Sequence, residues 1–220
     1  MTKHSSEKLF RFYFITDDAA PSLTPMEQVR IALDAGATMI QYRNKSFDLS
    51  RYPEAHAIRH LCRRRATPFI VNDHVLLAKA LDADGVHLGQ EDASPALVRD
   101  IMGREALVGL SVSNLKELAE SDPAHCDYIG TGPIFATGTK ADAKAVRGLS
   151  GLRKMVLAAS PLPVVGIGGI TAENAPDCFR QGAAGVAVIS CISRSPSPEE
   201  AARRFAAACA WQGGDPHVIP

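Results

Sequence analysis

The sequence predicts a single closed barrel of eight parallel strands, each followed by a helix: the (β/α)8, or TIM, barrel. Three observations predict it. Eight short, β-branched apolar runs occur at 12–16, 38–43, 68–72, 85–88, 107–110, 128–131, 164–167 and 185–189, and a helix-like segment follows each. The chain has 220 residues, enough for one such barrel, which takes about 200 to 250, and too few for a second domain. No GxGxxG turn follows the first run, which disfavours the open dinucleotide-binding sheet.

The helical segments are read at 26–35, 50–65, 75–81, 96–101, 115–120, 151–159, 172–181 and 199–210. In the first, Met26, Val29, Leu33 and the following Ala37 keep one face. Alternation of this kind implies parallel strands joined by right-handed crossovers. Two segments, Asp34-Ala35-Gly36-Ala37 and Arg180-Gln181-Gly182-Ala183, place glycine where a helix ends in the left-handed conformation. The whole of 1–220 is read as one domain, with flexible tails at about 1–9 and 212–220.

Composition excludes several classes. There are 24 basic and 24 acidic residues, without the basic surplus of a nucleic-acid binder. No run of 18 apolar residues is present, so no membrane span is expected. The opening MTKHSSEKLF lacks the apolar stretch of a secretory signal. The five cysteines, at 62, 126, 178, 191 and 209, form no CxxC pair. They read as reduced thiols of a cytoplasmic protein.

In a barrel of this kind, polar residues at the C-terminal ends of strands build the site. The second strand ends in Gln41-Tyr42-Arg43-Asn44-Lys45. Spacing by two places Gln41, Arg43 and Lys45 on one face of an extended segment, and two cations there call for an anion. A salt bridge to acidic neighbours is the competing reading. Asp73 after the third strand and Asp92 after the fourth are hard oxygen donors, suited to Mg²⁺ that also meets substrate phosphates. Either alone could instead cap a helix. Asn72 adjoins Asp73, and Ser111 closes the fifth strand as a hydrogen-bond donor for phosphate. His87, inside the fourth strand, reads as a packed, hydrogen-bonded residue, and His74 as the start of a helix. The loop 131–140 carries Thr137, Thr139 and Lys140 among glycines, which suits phosphate binding and a lid. Gly168 and Gly169 after the seventh strand, with Ile189 and Ser190 after the eighth, suit a backbone-built monophosphate site. Two anion sites point to the joining of a diphosphate with a monophosphate.

At these residues the sequence resembles the thiamine phosphate synthase family. The matching segments run in order along nearly the whole chain: 14–17, 41–45, 72–73, 85–92, 132–135, 137–140, 166–170 and 189–190. Thr137-Gly138-Thr139-Lys140 and Gly89-Gln90-Glu91-Asp92 are the most specific. The resemblance implies a transferase of thiamine biosynthesis. It would join 4-amino-2-methyl-5-(diphosphooxymethyl)pyrimidine to 4-methyl-5-(2-phosphooxyethyl)thiazole. It also implies that Gln41, Arg43, Lys45, Asn72, Ser111 and Lys140 bind the pyrimidine diphosphate, with Arg43, Lys45, Lys140 and Ser111 catalytic. Asp73 and Asp92 would hold Mg²⁺, and Thr137, Thr139, Gly169, Ile189 and Ser190 the thiazole phosphate. Partners would be these small phosphorylated molecules, with no nucleic acid or membrane; self-association is left open. One departure is Ser113, where many relatives have histidine. The related thiazole tautomerases are thought to use that histidine as acid and base, so its absence disfavours their reaction here.

Overall fold

A computed structural model describes residues 8–137 and 145–210. Eight parallel strands close into a barrel in chain order. They are β1 Phe12–Ile15, β2 Met39–Tyr42, β3 Phe69–Asn72, β4 Gly85–Leu88, β5 Leu107–Ser111, β6 Tyr128–Thr131, β7 Val164–Ile167 and β8 Gly185–Val188. The seam is made by β1 against β8, with Phe12 beside Val186 and Phe14 beside Val188. Between them run α1 Pro25–Asp34, α2 Tyr52–Arg64, α3 Val75–Ala80, α4 Pro95–Met102, α5 Leu115–Glu120, α6 Gly148–Ala159 and α7 Ala175–Arg180. After β8 come the short α8 Ser190–Ser193 and the closing α9 Pro198–Ala210. The observed alternation is the predicted one; α8, a single turn, is an addition.

Strand periodicity divides the apolar residues into two cores. Phe12, Phe14, Ile40, Tyr42, Val186 and Val188 face outward into the layer shared with the helices. Tyr13, Ile15, Met39, Ile70, Tyr128, Val165 and Ala187 face inward and fill the barrel. Leu9 packs against this inner set, while residues 1–7 and the whole expected tail 212–220 lie outside the described residues.

Local signals set the helix ends. Thr24 and Glu27 form a capping box at α1, with Pro25 in the first turn. Ser94 caps α4 in front of Pro95. The chain leaves α1 and α7 through Gly36 (φ 97°) and Gly182 (φ 90°), as their sequence predicts. The same six-residue closure follows two further helices: Thr67 N–H donates to Cys62 O (3.0 Å) and Ala83 N–H to Ala78 O (2.9 Å). There the left-handed residues are Ala66 (φ 50°) and Asp82 (φ 51°), so no glycine marks those turns. All five cysteines are free thiols. Burial is the main cause that pushes Cys62, Cys126 and Cys178 up to about 12, so they remain protonated packing groups.

Candidate active site

The strand register assembles the mouth of the barrel. Ile15 pairs with Gln41, Asn72 with His87, His87 with Gly109, and Ser111 with Gly130. Inward side chains near the C-terminal ends thus meet around one pocket of about 50 Å³. Its polar lining is Tyr13, Gln41, Arg43, Asn72, His87, Ser111 and Tyr128. That volume holds a few waters at most. It is a well of mixed polar and apolar lining under the mouth.

Gln41 and Arg43 reach the pocket as their spacing predicts. Lys45 does not follow them. β2 ends at Tyr42, and Asn44 Oδ1 accepts the Ser46 N–H at 2.9 Å, a side-chain turn that ends the extended alternation. Lys45 is exposed, and its backbone N–H donates to Asp18 Oδ2 at 3.0 Å. Arg43 is fixed through its backbone: Thr16 Oγ1 accepts from Arg43 N (2.8 Å) and donates to Arg43 O (3.1 Å).

Asp73 and Asp92 face each other across the β3 and β4 loops. Asp73 has a positive φ of 62° and accepts from Asn72 Nδ2 at 2.6 Å. Asp92 Oδ2 accepts the Gly89 N–H at 2.6 Å. Neither caps a helix: α3 begins at His74 with no side-chain cap, and Ser94 caps α4. The Asp73 carboxyl is pushed up to about 6. Crowding by protein around its oxygens is the largest cause, although the residue opens onto the mouth, and the shared hydrogen bond and charge of Asp92 add to it. Arg43 and Asn72 pull it back down. Two facing carboxyl side chains make a donor set that fits a divalent cation with oxygen preference, and Asp73 and Asp92 could hold one.

Ser111 is held from two sides. His87 Nε2 lies 2.9 Å from its Oγ, and Gln90 Nε2 donates to its carbonyl at 2.7 Å. Ser113 is buried beyond the strand, its N–H donating to Glu117 Oε2 at 2.7 Å. It does not line the pocket.

Loops six and seven run side by side. Ile134 N–H donates to Ile167 O (2.9 Å) and Phe135 N–H to Gly168 O (3.0 Å). Gly168 (φ 95°) and Gly169 (φ 64°) take left-handed turns. A Cβ on Gly169 would lie 2.5 Å from Ala136 O, so glycine is required there both for its φ and for the close approach. Asn174 Nδ2 holds Gly169 O at 3.0 Å. Because Ile167 pairs with Ala187, Gly169 and the Ile189–Ser190 turn leave neighbouring strands at the same end. Ile189 lines the pocket and Ser190 starts α8. Thr137 is the last described residue of loop six; Thr139 and Lys140 lie outside the described residues.

A clasp joins the first loop to the last. Asp17, 3% exposed, accepts from Arg194 Nε at 2.7 Å and Ser193 Oγ at 3.2 Å. Burial opposes its charge, but Arg194, the Ala19 N–H and Ser193 outweigh that and hold the carboxyl below its ordinary range. Asp17→Ala is expected to cost about 1–3 kcal/mol of stability, since Arg194 stays partly in water. A depressed carboxyl stabilises above its unfolded value, and that contribution is lost as pH falls through the folded value. Urea melts should therefore show the two proteins furthest apart near neutrality and converging in acid. An equal gap at all pH values would assign the effect to packing.

Fold and mouth define a (β/α)8-barrel enzyme whose polar residues gather at the C-terminal ends of the strands. A family profile described as thiamine monophosphate synthase matches residues 12–192. Thiamine-phosphate synthase of Bacillus velezensis is 39% identical over 212 residues, covering 93% of this chain and 94% of that one. The Vibrio parahaemolyticus protein of the same name is 41% identical over 194 residues, covering 88% and 95%. A solved thiamine phosphate pyrophosphorylase from Pyrococcus furiosus superposes with a TM-score of 0.83 at 36% identity, covering 94% of this chain and 98% of that one. The chain belongs to the thiamine monophosphate synthase family of transferases.

His87 is hydrogen-bonded, as the sequence predicts, whereas Tyr13 and Tyr128 were not singled out there. The structure puts all three in the pocket wall. A usable signal was the hydroxyl of a tyrosine at an inward barrel position, which needs an internal partner.

Proposed function

We propose that this enzyme joins the pyrimidine diphosphate and the thiazole phosphate named above into thiamine phosphate, releasing diphosphate. The observation that carries this reading is the meeting of Gln41, Arg43, Asn72 and Ser111 around one pocket, in a chain about as long as its synthase relatives and 39% identical to one of them. In the reaction the methylene C–O bond breaks, its electron pair leaves with the diphosphate, and the thiazole nitrogen captures the pyrimidine-methyl cation. No general base is needed. What the site must supply is neutralisation of the leaving group. Arg43 at the pocket wall, Lys45 from the exposed loop and Lys140 from loop six bring the charge, and Ser111 brings a hydrogen bond. Mg²⁺, held by Asp73 and Asp92, would supply Lewis-acid stabilisation of the diphosphate. Thr137, Thr139, Gly169, Ile189 and Ser190 would bind the thiazole phosphate, largely through backbone N–H groups at the two glycine turns.

Among the described residues no helix is long and apolar enough to cross a membrane. With five unpaired thiols, a cytoplasmic setting is the one proposed.

The deciding experiment measures diphosphate release with both substrates and Mg²⁺, and with each omitted in turn. Release that requires the thiazole and yields thiamine phosphate supports the synthase. Turnover of the thiazole alone would mark a tautomerase. Tight product binding without turnover would mark a binding protein.

A further inference from the structure

We infer that Tyr13, Tyr128 and His87 form a directional hydrogen-bond chain, starting at Gln41, that fixes Ser111 as a donor toward the substrate diphosphate. They are positioning residues, and the inference rests on the synthase reading for the identity of Ser111's ligand.

The links are continuous. Gln41 Nε2 donates to Tyr13 Oη at 2.7 Å. Tyr13 Oη and Tyr128 Oη are 2.9 Å apart, Tyr128 Oη and His87 Nδ1 3.0 Å, and His87 Nε2 and Ser111 Oγ 2.9 Å. Four strands contribute between Gln41 and His87, and β5 adds Ser111, so the chain crosses the barrel beneath its mouth.

Its direction follows from the end that has no choice. An amide nitrogen only donates, so Tyr13 accepts from Gln41. The two tyrosines are 1% and 0% exposed, and a buried hydroxyl proton needs an internal acceptor. For Tyr13 that acceptor is Tyr128, and Tyr128 in turn donates to His87 Nδ1. A neutral imidazole that accepts at Nδ1 carries its proton on Nε2, which donates to Ser111 Oγ. The Ser111 proton is then left to point into the pocket. The reverse direction would strand the Tyr13 proton and turn the Ser111 proton inward to His87, where it would be lost to a ligand. Burial also raises both phenols, which keeps the hydroxyls protonated.

Neighbouring strands are cut to fit these rings. A Cβ on Gly109 would lie 2.2 Å from Tyr128 Cζ and 2.5 Å from His87 Nδ1. One on Gly130 would lie 3.0 Å from His87 Cε1. Both glycines leave space that the two rings occupy.

The test combines the histidine tautomer with kinetics on the full chain. In ¹⁵N-histidine-labelled protein, with His87→Gln to assign the signal, wild-type His87 should be the neutral Nε2–H form. Tyr128→Phe should shift it toward Nδ1–H. The same variant should lose about tenfold in kcat/KM for the diphosphate substrate, the worth of one hydrogen bond, mainly in kcat. In a Ser111→Ala background it should lose nothing further. If Tyr128→Phe does not fold, the wild-type His87 tautomer decides the direction of the chain by itself. An Nδ1–H tautomer in an active wild-type enzyme would overturn the chain. So would an equal loss from Tyr128→Phe with and without Ser111. A wild-type protein without synthase turnover would sink the ligand assignment, while its His87 tautomer would still report on the chain by itself.

Discussion

Asp73→Asn is expected to lose about 10³-fold in kcat on the proposed reading, in which Asp73 helps to hold Mg²⁺ against the departing diphosphate. The same substitution should make the metal-free protein more resistant to heat at pH 8. The carboxyl of Asp73 is raised to about 6 by crowding and by Asp92. A carboxyl raised on folding destabilises the native state once it ionises. The cost is absent below its unfolded value, near 4, and grows as pH rises through about 6. Asparagine removes it and keeps the size of the side chain. The melting temperature of Asp73→Asn should therefore exceed that of the metal-free parent at pH 8, and the gap should close on acidification. Saturating Mg²⁺ should reverse the order by stabilising only the parent. Heat resistance that is lower than the parent's in metal-free buffer would mean that Asp73 is held mainly by its contacts with Asn72 and Arg43, and would argue against an acidic pair poised for a cation.

Lys140→Ala is expected to lose about 10²–10³ in kcat, the scale seen when one preorganised donor is removed. Arg43 is anchored through its backbone to Thr16 and lines the well. On the synthase reading proposed above, Lys140 neutralises the departing diphosphate rather than anchoring the ground-state substrate. Its removal should then fall on kcat more than on the KM of the pyrimidine diphosphate, and arginine at 140 should recover only part, because its planar fork differs from an ammonium. A change below threefold would remove Lys140 from the mechanism.

The fold was legible because each strand is a short apolar run and each helix keeps a 3.6-residue period. Gln41, Arg43, Asn72 and Ser111 could be placed because they end strands, and strand ends point at the mouth. Lys45 was misplaced by extending the period-two pattern past Tyr42, where the Asn44 turn ends it. That asparagine was the available signal. Tyr13 and Tyr128 escaped notice for a different reason. Tyr13 and Tyr128 are 115 residues apart in the chain, and each alone looks like a large apolar residue in an apolar run. Only barrel closure brings their hydroxyls together. α8 escaped notice because four residues are too few to display a period.

The clasp between Asp17 and Arg194 bears on how the chain is made. Synthesis delivers β1 well before its second neighbour, β8, and before the arginine that pairs with Asp17. Without β8, β1 and β7 would each lack a partner on one side, and unpaired strand edges are prone to pairing with another chain. Molecules that stop short of residue 185 would keep both edges open, so β8 closes the sheet as well as supplying a wall of the pocket.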